Sequence, residues 1–259
     1  MSTTAVPPTA DEGRMSLMEH LTELRDRIIK VVAAVGLGMV LAFIFYDPIF
    51  DFLVQPYKDS VDPGSSITNG GLLAVDPLEG FAVRMKLALY GGIALAMPVI
   101  LWQLWRFVAP GLYANEKRYA IPFLAAALTL FVLGAGLAYY TLPKALDFLN
   151  SIGGDNLVTG YSPGKYFQLI TYMMLAFGVG FEFPIILVAL QLVGLLSRAS
   201  LKRVRRYAWV GITVLVAVIT PSGDPISMLM LSVPMVLFYE LSIVIGWLVE
   251  RRRPAPAPV

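Results

Sequence analysis

Cysteine is absent from this chain and histidine occurs once, at His20. The first absence removes disulfides and thiolate metal sites. The second removes a His-based metal cluster and a Ser-His-Asp triad inside the apolar part of the chain. Charge is scarce as well: 15% of the 259 residues are Asp, Glu, Lys or Arg, against about 25% in a soluble domain. There is no G-x-x-x-x-G-K-[ST] phosphate loop, so ATP hydrolysis is not expected. No internal repeat is visible, which removes the signature of many secondary transporters. No cofactor is expected.

Apolar residues fill that space. They make up 57% of the sequence, and the mean hydropathy is +0.70. Six runs stand out: Ile28–Tyr46, Leu87–Trp105, Tyr119–Leu142, Phe167–Leu196, Tyr207–Thr220 and Ile226–Val249. About 20 such residues cross a bilayer as a helix. The expected fold is therefore an all-α integral membrane protein with six spans, the fifth and sixth short. Tyr207–Thr220 would extend about 21 Å at about 1.5 Å per residue, less than the hydrocarbon core of about 30 Å. The first run is read as a retained span, since Asp11 and Glu12 precede it and no Ala-x-Ala-type site follows.

Lys and Arg gather on one side of this arrangement. Arg14, Arg25, Arg27 and Lys30 lie at the start; Arg106, Lys117 and Arg118 lie between the second and third runs. Arg198, Lys202, Arg203, Arg205 and Arg206 lie between the fourth and fifth, and Arg251–Arg253 lie in the tail. Both termini are expected in the cytoplasm. Residues 1–14 read as a disordered N-terminus, 15–249 as one membrane domain and 250–259 as a basic tail. Within the domain, loops are expected at about 48–84 outside and at about 106–118 and 197–206 inside. Ser16-x-x-Glu19 has capping-box spacing, and Leu17, Leu21, Leu24 and Ile28 follow at helical spacing, an amphipathic lead-in suited to the interface. The outer loop reads as short helices and an extended segment packed as a cap. Gly134 and Gly136 are expected to allow close helix contact. Gly178, Gly180 and Pro184 predict a bend in the fourth span.

A few carboxylates break the apolar pattern. Glu182, between Phe181 and Phe183, reads either as a polar functional site in the bilayer or as a structural carboxyl bonded to a neighbouring helix. Glu240 has the same two readings. Glu23 and Glu116 sit on the basic face. Each is either a solvated charge, Glu23 then pairing with Arg27 at i,i+4, or part of a receptor for a cationic ligand. A guanidinium matches a carboxylate in two-pronged fashion.

Four ordered blocks carry a family resemblance: Ser16-Leu-Met-Glu-His-Leu-Thr-Glu-Leu-Arg-Asp-Arg27; Pro98 through Tyr113, followed by Glu116-Lys117-Arg118; Ala176-Phe-Gly-Val-Gly-Phe-Glu-Phe-Pro184; and Thr220-Pro221 with Asp224. Together they resemble the TatC family, the polytopic receptor subunit of the twin-arginine protein translocase. The resemblance covers Ser16 to about Val249. It implies a concave, glove-like protein that is not an enzyme and lies in the cytoplasmic membrane of a prokaryote. Its ligands would be Arg-Arg signal peptides of folded cargo. Its partners would be single-span TatA/TatB-type subunits and further copies of itself, without nucleic acid, and transport would be driven by the proton-motive force. Carried over residue by residue, Glu23, Glu116, Arg25, Phe107 and Gln103 would bind the signal peptide, and Glu182 would be the polar group of the cavity. Pro56, Thr220 and Asp224 would serve structure or partner contact. Met228 stands where the family commonly has glutamine, so a polar contact there does not carry over. A secondary transporter for a small cation, using Glu182 and Glu240, is the alternative from a different class; an intramembrane protease is a third.

Overall fold

The computed structural model describes residues 17–60, 72–74, 76–108, 120–153, 161–192, 194–220 and 223–252. Among them are the helices α1 (Leu17–Ile44), α2 (Tyr46–Ser60), α3 (Glu79–Val108), α4 (Ala120–Gly153), α5 (Pro163–Phe181), α6 (Phe183–Leu192), α7 (Arg198–Ile219) and α8 (Pro225–Arg252). Five stretches, with α5 and α6 taken as one, are long and apolar enough to cross a membrane; α7 is not among them. Large apolar side chains such as Val32, Val132, Val218 and Leu237 are exposed. A soluble monomer would not leave so many uncovered, and in a bilayer they meet lipid tails. The chain is membrane-embedded and all-helical over its described residues.

The helices alternate in direction. α1 and α3 run antiparallel and touch backbone to backbone: a Cβ on Gly38 would fall 2.6 Å from the Gly92 carbonyl oxygen. At α3's end the Trp105 ring meets Phe123 at 4.4 Å between centroids, and α4 starts back from there. α4 and α5 are equally close at Gly134, where a Cβ would lie 2.5 Å from Phe177 O. Gly134 thus makes the expected close contact, whereas Gly136 faces open space. At the far end Glu79, in the first turn of α3, accepts the Gly164 backbone N–H at 2.8 Å. Gly164 lies in the first turn of α5, so one helix's carboxylate satisfies an exposed amide of another.

Several expected boundaries move. The amphipathic lead-in is continuous with the first span in one 28-residue helix. The outer connection is partly helical. α2 occupies its first part and Glu79–Arg84 belong to α3. Leu73 N–H donates to Tyr161 O at 3.3 Å, a backbone tie of the segment 72–74. Arg198–Arg206, expected as a loop, form the first turns of α7: Ser197 caps it by accepting Ser200 N–H, and Lys and Arg are good helix formers. The fifth helix therefore has 22 residues, only its Tyr207–Ile219 part being apolar. The sixth is not short: α8 has 28 residues and takes in Arg251 and Arg252. The bend expected in the fourth span is a break at Glu182 between α5 and α6. Pro184 has no N–H to give the Gly180 carbonyl, and Glu182 N–H donates to Val179 O instead.

One core gathers α2 through α8 around Tyr57, Leu87, Leu142, Phe167, Phe177 and Tyr239. A smaller one, Met97, Leu101, Ala127 and Phe131, joins α3 to α4.

Candidate functional site

Glu23 lies in the second turn of α1, facing the end of α3. Arg27, one turn on, forms an ion pair with Glu23 Oε1 and donates from Nη1 to the Gln103 carbonyl at 3.2 Å. The i,i+4 pair is therefore made, and Arg27 ties α1 to α3. The two side chains keep only 23% and 12% of their exposure. Glu23 Oε2 and Gln103 Oε1 are buried and have no hydrogen-bond donor among the described residues. This corner presents acceptor oxygens lacking donors beside a fixed guanidinium. A second guanidinium, with five N–H donors, has the chemistry to fill it. Arg25 points elsewhere: it is exposed and pairs with Asp26 at 3.2 Å. Phe107 is half-buried in the last turn of α3. Glu116 lies outside the described residues, as do the N-terminal 1–14, the Ser16 cap and most of the basic tail. Arg27 is the residue missing from the expected site, and its signal was the i,i+4 spacing to Glu23.

Glu182 is 5% exposed, and neither of its carboxylate oxygens has a hydrogen-bond partner among the described residues. It occupies the break between α5 and α6, beside Phe181, whose ring meets Phe238 of α8 edge-on at 5.1 Å. The reading of Glu182 as a carboxyl bonded to a neighbouring helix finds no partner here among the described residues.

Glu240 differs. Its Oε1 accepts from Arg205 Nε at 2.7 Å and from Trp209 Nε1 at 2.9 Å. The guanidinium lies over the Trp209 ring at 5.1 Å. Glu240 links α7 to α8, and Tyr239 Oη reinforces the link by donating to Leu201 O at 2.7 Å.

Thr220 closes α7 by donating its hydroxyl back to Val216 O at 2.9 Å. Gly223 then takes a positive φ of 59°, a conformation glycine adopts without steric cost. Buried Asp224 caps α8, accepting Ser227 N–H at 2.6 Å with Pro225 at the first helical position. Thr220 and Asp224 thus make the hydrogen bonds that end α7 and begin α8. Pro56, expected in a loop, is buried inside α2. It has no N–H for the Phe52 carbonyl four residues back. Tyr139 of α4 supplies a donor, its hydroxyl meeting Phe52 O at 2.9 Å, with the two rings stacked at 4.5 Å. Tyr166 Oη donates to the next carbonyl, Leu53 O, at 2.6 Å. Tyr161 donates to Asn150 Oδ1 at 2.6 Å, and burial raises its hydroxyl above the usual tyrosine range, keeping it a donor.

The comparisons with known proteins agree with one another. A family model described as "Sec-independent protein translocase protein (TatC)" matches residues 19–234. The Sec-independent protein translocase protein TatC of Frankia casuarinae is 39% identical over 251 residues, which is 94% of this chain and 69% of that protein. The protein of the same name from Aquifex aeolicus is 38% identical over 242 residues, 92% of this chain and 98% of that one. A crystal structure of the twin-arginine translocase receptor TatC superposes with a TM-score of 0.73 at 37% identity, covering 90% of this chain and all of that one. The chain belongs to the TatC family and is a component of a Sec-independent protein translocase.

Proposed function

We propose that this protein is the receptor subunit of a twin-arginine translocase, with both termini in the cytoplasm of a prokaryote and its helices in the cytoplasmic membrane. It binds the paired arginines of a signal peptide at the corner where α1 meets the end of α3. One observation carries this reading: Glu23 is held by Arg27 through one oxygen while its other oxygen is buried without a donor among the described residues. Glu116, in the connection that follows α3, supplies the second carboxylate, and Gln103 and Phe107, at the end of α3, complete the binding set. Arg25, exposed and paired with Asp26, sets the approach of the peptide rather than its grip. The apolar part of the signal lies along the concave side, towards Glu182. Single-span partners assemble on α7 and α8, where Val210, Val214, Val218, Val233 and Leu237 are exposed. The subunit catalyses no covalent step, and the proton-motive force drives transport.

Binding of an Arg-Arg signal peptide to the purified protein in detergent tests this. Native peptide should bind, a Lys-Lys peptide should bind at least about tenfold more weakly, and Glu23→Ala and Glu116→Gln should each weaken the native peptide. Binding indifferent to both the arginines and the glutamates would sink the receptor reading.

A further inference from the structure

An apolar groove of about 380 Å³ lies between α2, α3, α4 and α5, open along one side. Pro48, Phe52, Leu87, Gly91, Ala135 and Met174 line it. No charged residue does, and the one threonine, Thr171, gives its hydroxyl to Phe167 O at 2.5 Å. Arg84 lies outside this lining, on the same face of α3 as Leu87 and Gly91 and one and two turns before them, so helical spacing carries it beyond the groove's Leu87 end. Its guanidinium is held over the rings of Tyr46 at 4.6 Å and Phe43 at 4.8 Å. It forms no ion pair among the described residues, and Nε is buried without an acceptor. Of the nearby acids, Asp47 and Asp51 are exposed and Glu79 is engaged with Gly164 N.

We infer that the groove is a phospholipid site, taking one acyl chain along its apolar floor and an anionic headgroup at Arg84. The juxtaposition of a bilayer-facing hydrocarbon slot with an unpaired cation at its end matches an amphiphile with a negative head. A peptide fits less well. An extended segment would bring a row of backbone N–H and C=O groups, and a lining whose side-chain polar groups are the Thr171 and Tyr90 hydroxyls cannot satisfy them. A helix about 10 Å across would fill the whole volume with about one turn. The rings of Phe43 and Tyr46 fix the guanidinium in place, so the headgroup meets a preset charge.

Native mass spectrometry of the full chain, with phosphatidylglycerol and phosphatidylcholine of identical acyl chains as probes, tests this. One phosphatidylglycerol should be retained in preference to phosphatidylcholine. Arg84→Gln should cut that preference about fivefold while leaving phosphatidylcholine binding unchanged, and Arg84→Lys should keep most of it. Inorganic phosphate should not compete. Ala135→Phe, checked for folding by thermal unfolding, should lower retention of both lipids; should it fail to fold, the two Arg84 variants carry the test. Equal retention of the two lipids by the wild type, or an Arg84→Gln variant indistinguishable from it, would overturn the inference. So would displacement of the bound lipid by an apolar helical peptide, which would make the groove a peptide site.

Discussion

Glu182 and Glu240 are the same residue type, each flanked by an aromatic residue in an apolar stretch, and the molecule treats them in opposite ways. Glu240 is partly exposed and accepts two hydrogen bonds, from Arg205 and Trp209 of the neighbouring helix. Glu182 is almost fully buried and has no partner among the described residues. A carboxylate that holds helices together has its partners supplied by the fold. One left without them in an apolar setting carries a cost that packing does not offset. The difference separates the α7–α8 pair, tied by polar links, from the α5–α6 break, which keeps an acceptor unused.

That contrast can be broken or sharpened by substitution, with thermal unfolding of the purified protein as the common measurement. The largest effect is expected at Gly134→Leu. Its side chain would strike the Phe177 carbonyl and push α4 away from the helix that delivers Glu182, costing about 3 kcal/mol; an unchanged midpoint would show that α5 is not pinned there. Next comes Glu182→Leu, which removes an unsatisfied acceptor and should stabilise the protein by up to about 2 kcal/mol while impairing export. A loss of stability instead would mean that Glu182 has a partner in the membrane. Glu240→Ala should act in the other direction, costing about 1–2 kcal/mol by leaving Arg205 and Trp209 without an acceptor. Arg205→Ala combined with it should cost less than the sum of the two single changes. The smallest effect belongs to Tyr139→Phe, about 0.5–1 kcal/mol for the lost bond to Phe52 O. In a Pro56→Ala background, which restores a backbone donor to that carbonyl, the same change should cost little.

Much of this fold is legible in the sequence because the bilayer imposes a simple rule on helix composition. The break at Glu182 is equally local, since Pro184 removes a donor whatever surrounds it. The misjudged elements have physical reasons. Arg198–Arg206 reads as a loop because hydropathy counts charge and ignores helix propensity, and the Ser197 cap shows only in the structure. The short helix expected early in the outer connection is α2, but the repair of its Pro56 gap by a tyrosine 83 residues further along is a relation no local pattern contains. Pairing across distance also decided the sites. Glu240 meets Arg205 and Glu23's neighbour Arg27 meets Gln103 only through helix packing. Glu182 needed the opposite observation, an absent partner, which no spacing predicts.

The bond from Tyr139 to the carbonyl that Pro56 leaves open has a bearing on descent. A proline at 56 creates a vacancy, and a hydroxyl at 139 answers it. Neither residue has the same value alone: the hydroxyl is idle without the proline, and the proline is a defect without the hydroxyl. Selection therefore acts on the two positions as one character, and in lineages where the proline is lost the tyrosine should drift towards phenylalanine.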